Sequence, residues 1–222
     1  MAENRSPRMA LIGVVAAAVA ILVATGIAIA PRTAPVFHGT TYTEVAPAAQ
    51  FSLVDHDGRQ VSLDTYRGHP VLLFFGYTNC PDVCPTTLTK LTSAMKQAGG
   101  EAEDIRVLLI TVDPANDTPA TLKKYTGNFG PAVVGLTGDS AALAVARQGY
   151  GAYVEKVAAA APAPAAHAEH GAHTGHASRP AGMTVHSGVV YGIDRRGNLQ
   201  VVISDSATPE EVADDLRTLA GL

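Results

Sequence analysis

Basic residues are too few and too dispersed in this 222-residue chain to mark a polyanion-binding surface. Sixteen lysines and arginines stand against twenty aspartates and glutamates, a formal charge of −4, whereas nucleic-acid binding needs a clustered positive field. Nucleic acid is therefore excluded as a partner. Large apolar residues are missing after Val157 from "VAAAAPAPAAHAEHGAHTGHASRPAG", residues 157–182. That stretch cannot contribute to a core and reads as a flexible insertion. Cysteine is scarce: the chain has two, Cys80 and Cys84, and both lie in "FFGYTNCPDVCP". Length and composition otherwise fit one domain of about 150 residues with additions.

One of those additions is N-terminal. "MALIGVVAAAVAILVATGIAIA", residues 9–30, carries no charge, and at about 1.5 Å per residue a helix of this length reaches roughly 33 Å, enough for a hydrocarbon core of about 30 Å. Arg5 and Arg8 precede it, which leaves residues 1–8 in the cytoplasm and exports the rest. Ala28 and Ala30 also offer an A-x-A cleavage pattern, but the apolar run is longer than a signal core and Pro31 follows the supposed cut. The expectation is a single-pass membrane anchor. In either case the following domain lies on the extracytoplasmic side, where disulfides persist. Residues 31–46, rich in Pro, Thr and Ala, read as a tether, and 47–222 as the domain.

Within the domain, "FSLVDHDGRQVSL" reads as a hairpin around Asp57-Gly58. The apolar runs 70–77 and 105–112 have the pattern of strands buried on both faces, and 132–138 is a weaker one. Leu88, Leu91 and Met95 with Pro85 at a first helical position predict a helix over 85–98, with Cys84 at its N-cap. Thr118-Pro119 starts a second helix with Leu122, Tyr125 and Phe129 on one face, and Ser140–Gln148 forms a third. Two strands flank a turn at Asp194–Gly197, and Thr208, Pro209 and Glu211 make a capping box for a C-terminal helix. The alternation implies an α/β fold with a largely parallel, covered sheet.

The cysteine pair admits several readings. A loop of this polarity is a poor place to bury a sulfur simply as an apolar group, and closing so short a loop with a disulfide contributes only about 2 kcal/mol in the loop-entropy model. Thiols at a helix N-terminus, by contrast, meet unsatisfied N–H groups that favour the thiolate. Two such sulfurs can cycle between dithiol and disulfide or grip a soft metal ion, and spacing alone does not choose. His186, in "TVHSGVVYGID", stands just before a strand and is a candidate third ligand; a hydrogen-bonded loop histidine is the plainer reading.

The run "GYTNCPDVCPTTL", then "TVDPANDTP", "YGAYVEKV" and "VHS" before a Tyr-bearing strand, closely resembles the Sco/SenC family of thioredoxin-like copper proteins, over roughly residues 47–220. The resemblance implies a thioredoxin-like fold, a central mixed sheet flanked by helices, behind an N-terminal transmembrane helix. It implies that Cys80 and Cys84 are thiolate ligands and His186 the imidazole ligand of one copper ion. It further implies that the protein exchanges copper with other carriers and delivers it to the copper-bearing subunit of cytochrome c oxidase. Two thiolates suit Cu(I), an imidazole adds affinity for Cu(II), and three ligands leave a position open for transfer, unlike a closed four-ligand zinc site.

This sequence departs from the family where Val185 replaces the usual Asp before the ligand histidine, and where the turn after Ile193 reads Asp-Arg-Arg-Gly. His167, His170, His173 and His176 recur every third residue in the insertion, as an inert polar linker or as a copper-capturing arm that raises local ion concentration. Asp82 and Asp113, each beside a proline, are expected as turn or helix-end residues. The reading is a copper carrier; its enzymatic rival is a thiol-disulfide oxidoreductase acting on the cysteines of the oxidase copper site.

Overall fold

The computed structural model describes residues 34–152, 154–156, 184–186 and 188–222. The predicted anchor, 9–30, and the His-rich insertion, with His167, His170, His173 and His176, lie outside the described residues. Among those described, no helix is long and apolar enough to cross a membrane. The described residues from Val36 onward form one compact unit.

An eight-stranded mixed sheet carries the unit, in the order β1-β10-β9-β4-β5-β6-β2-β3. The strands are β1 (Thr40–Pro47), β2 (Ser52–Asp55), β3 (Gln60–Ser62), β4 (Val71–Gly76), β5 (Arg106–Thr111), β6 (Val133–Thr137), β9 (Val190–Ile193) and β10 (Asn198–Ile203). A separate two-stranded ribbon pairs β7 (Val154–Lys156) with β8 (Thr184–His186). Among the described residues four α-helices accompany them: α1 (Val83–Ala98), α2 (Pro119–Thr126), α3 (Ser140–Gly149) and α4 (Pro209–Ala220).

Only β4, β5 and β6 run parallel, so the sheet is mixed rather than largely parallel. The reason lies in the turns. Short connections allow only antiparallel neighbours, and both flanks are built from hairpins: β2–β3 closes through Gly58 at φ +83° and β9–β10 through Gly197 at φ +79°. Asp194 stabilises the second turn by accepting from the backbone N–H groups of Arg196 and Asn198 and from the Asn198 and Gln200 side chains. Residues 40–46, expected as tether, instead form with Pro47 the edge strand β1 on β10, with a register shift between Thr41 and Ala46. The Pro- and Thr-rich composition hid it, because an edge strand needs only one ladder and tolerates such residues.

β4 is buried along its whole length, as its unbroken apolar run requires. Helix starts follow the side chains: Thr118 accepts from the N–H of Thr121, Asp139 from that of Ala142, and Thr208 and Glu211 form the reciprocal capping box. α1 packs against α4, and α2 against β6.

The register fixes which loops meet. Gly76 lies beside Thr111 at the carboxyl ends of β4 and β5. β9 runs antiparallel to β4 with Val190 opposite Phe74. The loop leaving β4, the loop leaving β5 and the chain entering β9 therefore emerge at one end of the sheet, the end where open α/β sheets carry their sites.

Candidate metal centre

The loop from β4 into α1 carries both sulfurs. Its first turn is closed by the Cys80 N–H donating to the Tyr77 carbonyl at 3.2 Å. Helix α1 begins at Val83, two residues ahead of the expected Pro85, with Asp82 at the N-cap position. Cys84 thus sits inside the first turn, not at the cap. Its backbone N–H, one of the donors a helix start leaves without a helical partner, points at the Cys80 sulfur at 3.3 Å. No disulfide joins the pair.

The two thiols occupy different environments. Cys80 is 9% exposed, at the rim of the buried core, and Cys84 is fully buried. Burial pushes the Cys84 thiol up, reinforced by the adjacent Cys80 and by Asp117, while a hydrogen bond with the Tyr77 backbone opposes the shift. The expectation that the helix terminus favours the thiolate at both positions is therefore corrected for Cys84. Desolvation outweighs the dipole there, and the helix donor is spent on its neighbour.

Gly76 makes room for this arrangement. A Cβ built on it would lie 2.9 Å from Cys84 Sγ, Leu109 Cδ1 and Phe74 Cε1, so the sulfur packs directly on the bare backbone at the end of β4.

The second loop supplies a support that the sequence reading missed. Asp117, 1% exposed, accepts from the Thr78 hydroxyl at 2.5 Å, from the Thr78 N–H at 3.2 Å and from the Thr111 hydroxyl at 2.6 Å. Thr111 accepts in turn from the Asp113 N–H at 3.0 Å. Asp117 thereby ties the cysteine loop, two residues before Cys80, to the end of β5. In the sequence it falls within "TVDPANDTP", a run that carries the family resemblance, but it shows no sign of its role there, because its burial follows from the parallel pairing of β4 and β5. Asp82 and Asp113 are helix-end and turn residues as expected. Asp82 accepts from the Thr86 hydroxyl at 3.2 Å, and Asp113 accepts from the Asn116 side chain at 2.7 Å.

His186 is the last residue of β8, its backbone opposite Val154 and four residues ahead of Val190. Its side chain lies outside what is described, as does that of Val185. Among the described residues no three His, Cys, Asp or Glu side chains are grouped to hold a metal ion. The structure thus brings Cys80 and Cys84 together and leaves the third predicted ligand as a matter of chain path.

The pattern of the SCO1/SenC family matches residues 40–221. The chain belongs to the SCO1/SenC family. An SCO2-like protein of Rickettsia felis is 30% identical over 167 residues, covering 75% of this chain and 74% of that protein. The chain spans less than half the length of several other curated relatives that it matches. Among solved structures, Bradyrhizobium japonicum ScoI, determined with copper bound, is 34% identical at a TM-score of 0.62, covering 78% of this chain and 99% of that one. BsSco, described through a disulfide switch and as a member of the Sco family of cytochrome c oxidase assembly proteins, shares the fold at 20% identity and a TM-score of 0.54, over 84% of this chain and 98% of that one.

Proposed function

We propose that this protein is a copper carrier, holding one ion between Cys80, Cys84 and His186 and handing it to the copper-bearing subunit of cytochrome c oxidase, with the domain tethered outside the cytoplasm by a helix over 9–30. The observation that carries this reading is the pair of unbridged cysteines at a helix N-terminus, with the Cys84 N–H directed at the Cys80 sulfur, in a family with a member determined with copper bound. Two adjacent soft donors suit Cu(I). The register supports the third ligand, because the chain preceding Val190 enters the sheet at the end where β4 releases the cysteine loop. An incomplete ligand set is what a carrier needs, since an ion enclosed by four protein donors has no position left for the acceptor.

A second reading has its own observation. The inequality of the pair, with Cys80 at the rim and Cys84 buried, suits a thiol-disulfide reductant. The Cys80 thiolate would attack a target disulfide, releasing one target thiolate, and Cys84 would displace the other, leaving a Cys80–Cys84 disulfide and a reduced target. His186→Ala separates the two readings. A carrier loses copper affinity and keeps disulfide exchange; equal copper binding by variant and wild type would leave only the redox role.

A further inference from the structure

The β7–β8 ribbon stands apart from the main sheet, and a two-stranded ribbon is marginally stable by itself. Its placement therefore depends on its feet. On the β7 side, helix α3 ends in a left-handed turn: Gly151, at φ +62°, donates to the Gln148 carbonyl at 3.2 Å, and Ala152 donates to the Arg147 carbonyl at 2.9 Å. This paired closure fixes the direction in which the chain leaves the helix for Val154. The Tyr150 carbonyl, at the C-cap position, is one of the acceptors that a helix end leaves without a helical partner.

On the β8 side, the chain passes from His186 into β9, whose second residue is Tyr191. The Tyr191 hydroxyl donates to that Tyr150 carbonyl at 2.7 Å, in a buried contact. The two rings are themselves buried and lie edge-on, with centroids 5.0 Å apart. Phe75, next to Gly76 at the end of β4, packs against both, 6.0 Å from the Tyr150 ring and 6.3 Å from that of Tyr191. The Tyr150 hydroxyl in turn donates to the Ala49 carbonyl at 2.8 Å, which ties its ring to the segment between β1 and β2. Three aromatic rings thus join the strand that releases the cysteine loop to both feet of the ribbon, and a hydrogen bond closes the base.

We propose that Tyr191 is a positioning residue of the metal centre: by bonding the Tyr150 carbonyl it clasps the two feet of the β7–β8 ribbon and so sets where His186 is presented to the cysteine loop. Ring burial is non-directional, whereas a hydrogen bond at a carbonyl constrains both distance and angle. With the hydroxyl removed, the Tyr150 carbonyl is left a buried acceptor short of its donor, and opening of the ribbon base, which admits water to it, becomes less costly. This inference rests on the copper reading for the role of His186, but the clasp belongs to the ribbon and can be measured without metal.

The test is Tyr191→Phe in the full-length reduced protein, which removes the hydroxyl and keeps the ring. In the metal-free protein, hydrogen exchange is followed at the ribbon amides, 154–156 and 184–186, with those of β4 and β5 as reference. The ribbon amides are expected to exchange about fivefold faster, the factor that loss of one hydrogen bond implies, beyond any change in the core strands. Cu(I) affinity is then read by chelator competition in a double-mutant cycle with His186→Ala. Tyr191→Phe is expected to weaken binding by up to about fivefold when His186 is present and to have no effect when it is alanine. Ribbon exchange at the wild-type rate, with only the core strands faster, would overturn the proposal, since the bond would then serve the fold alone. So would a Tyr191→Phe effect of equal size in both backgrounds when His186→Ala itself weakens binding. If His186→Ala leaves copper affinity unchanged, it is the carrier reading that fails, and ribbon exchange by itself decides the clasp.

Discussion

Removing the carboxylate of Asp117 should loosen the fold and the cysteine loop together. Asp117→Ala strands three donors. The Thr111 hydroxyl is fully buried and cannot reach water; leaving it unsatisfied costs about 2 kcal/mol. The Thr78 N–H and hydroxyl are half-buried and recover part of their loss through water, for about 1 kcal/mol more. The space left by the side chain adds about another 1 kcal/mol. The sum, about 3–4 kcal/mol, is a large share of a domain's typical 5–15 kcal/mol and corresponds to a fall in melting temperature of roughly 10 °C. Urea unfolding measures it, with the midpoint shifted and the slope retained. Asp117→Asn keeps one acceptor oxygen and should cost about half as much. A double-mutant cycle with Thr111→Val should show coupling of at least about 1 kcal/mol. Stability of Asp117→Ala within about 0.5 kcal/mol of wild type would refute the claim that this carboxylate holds the loop.

Two further outcomes follow from other contacts. Gly76→Ala should displace the Cys84 sulfur, since its Cβ would lie 2.9 Å from that atom and from Leu109 and Phe74; overpacking of this kind costs about 1–3 kcal/mol, and chelator competition should show weakened copper binding. Far from the centre, Arg195 and then His69 beside Asp104 hold its carboxyl below the usual range. A lowered folded-state value means that this contribution to stability is present above the unfolded carboxyl's pKa, about 3.9, and fades as pH falls through the lower folded value. Asp104→Asn should therefore flatten the loss of stability on acidification below about pH 4, read by denaturant unfolding across pH; an unchanged slope would contradict the assignment.

Strand and helix order was legible because each buried strand is a continuous apolar run and three helix starts carry a side-chain cap in sequence, Thr118, Asp139 and Thr208, whereas Asp82 gives α1 none. Edge strand β1 was not, since pairing on one side leaves no apolar alternation in "TTYTEVAP". The cysteines announced themselves by rarity and setting, but the inequality between them did not. That inequality depends on the helix starting at Val83, which turns one N–H onto Cys80 and buries Cys84. The role of Asp117 was hidden for a related reason: it stands just ahead of a helix start, and only the three-dimensional pairing of β4 with β5 brings its carboxylate to the cysteine loop.

The central claim is that two sulfurs and one imidazole share a single ion, and X-ray absorption at the copper edge of the reduced, Cu(I)-loaded protein tests it most directly. The account predicts one copper per chain with two sulfur scatterers and one nitrogen scatterer of imidazole type, the nitrogen lost in His186→Ala and binding lost in Cys80→Ser or Cys84→Ser. A copper shell without both sulfurs, or one unaltered by His186→Ala, would contradict it.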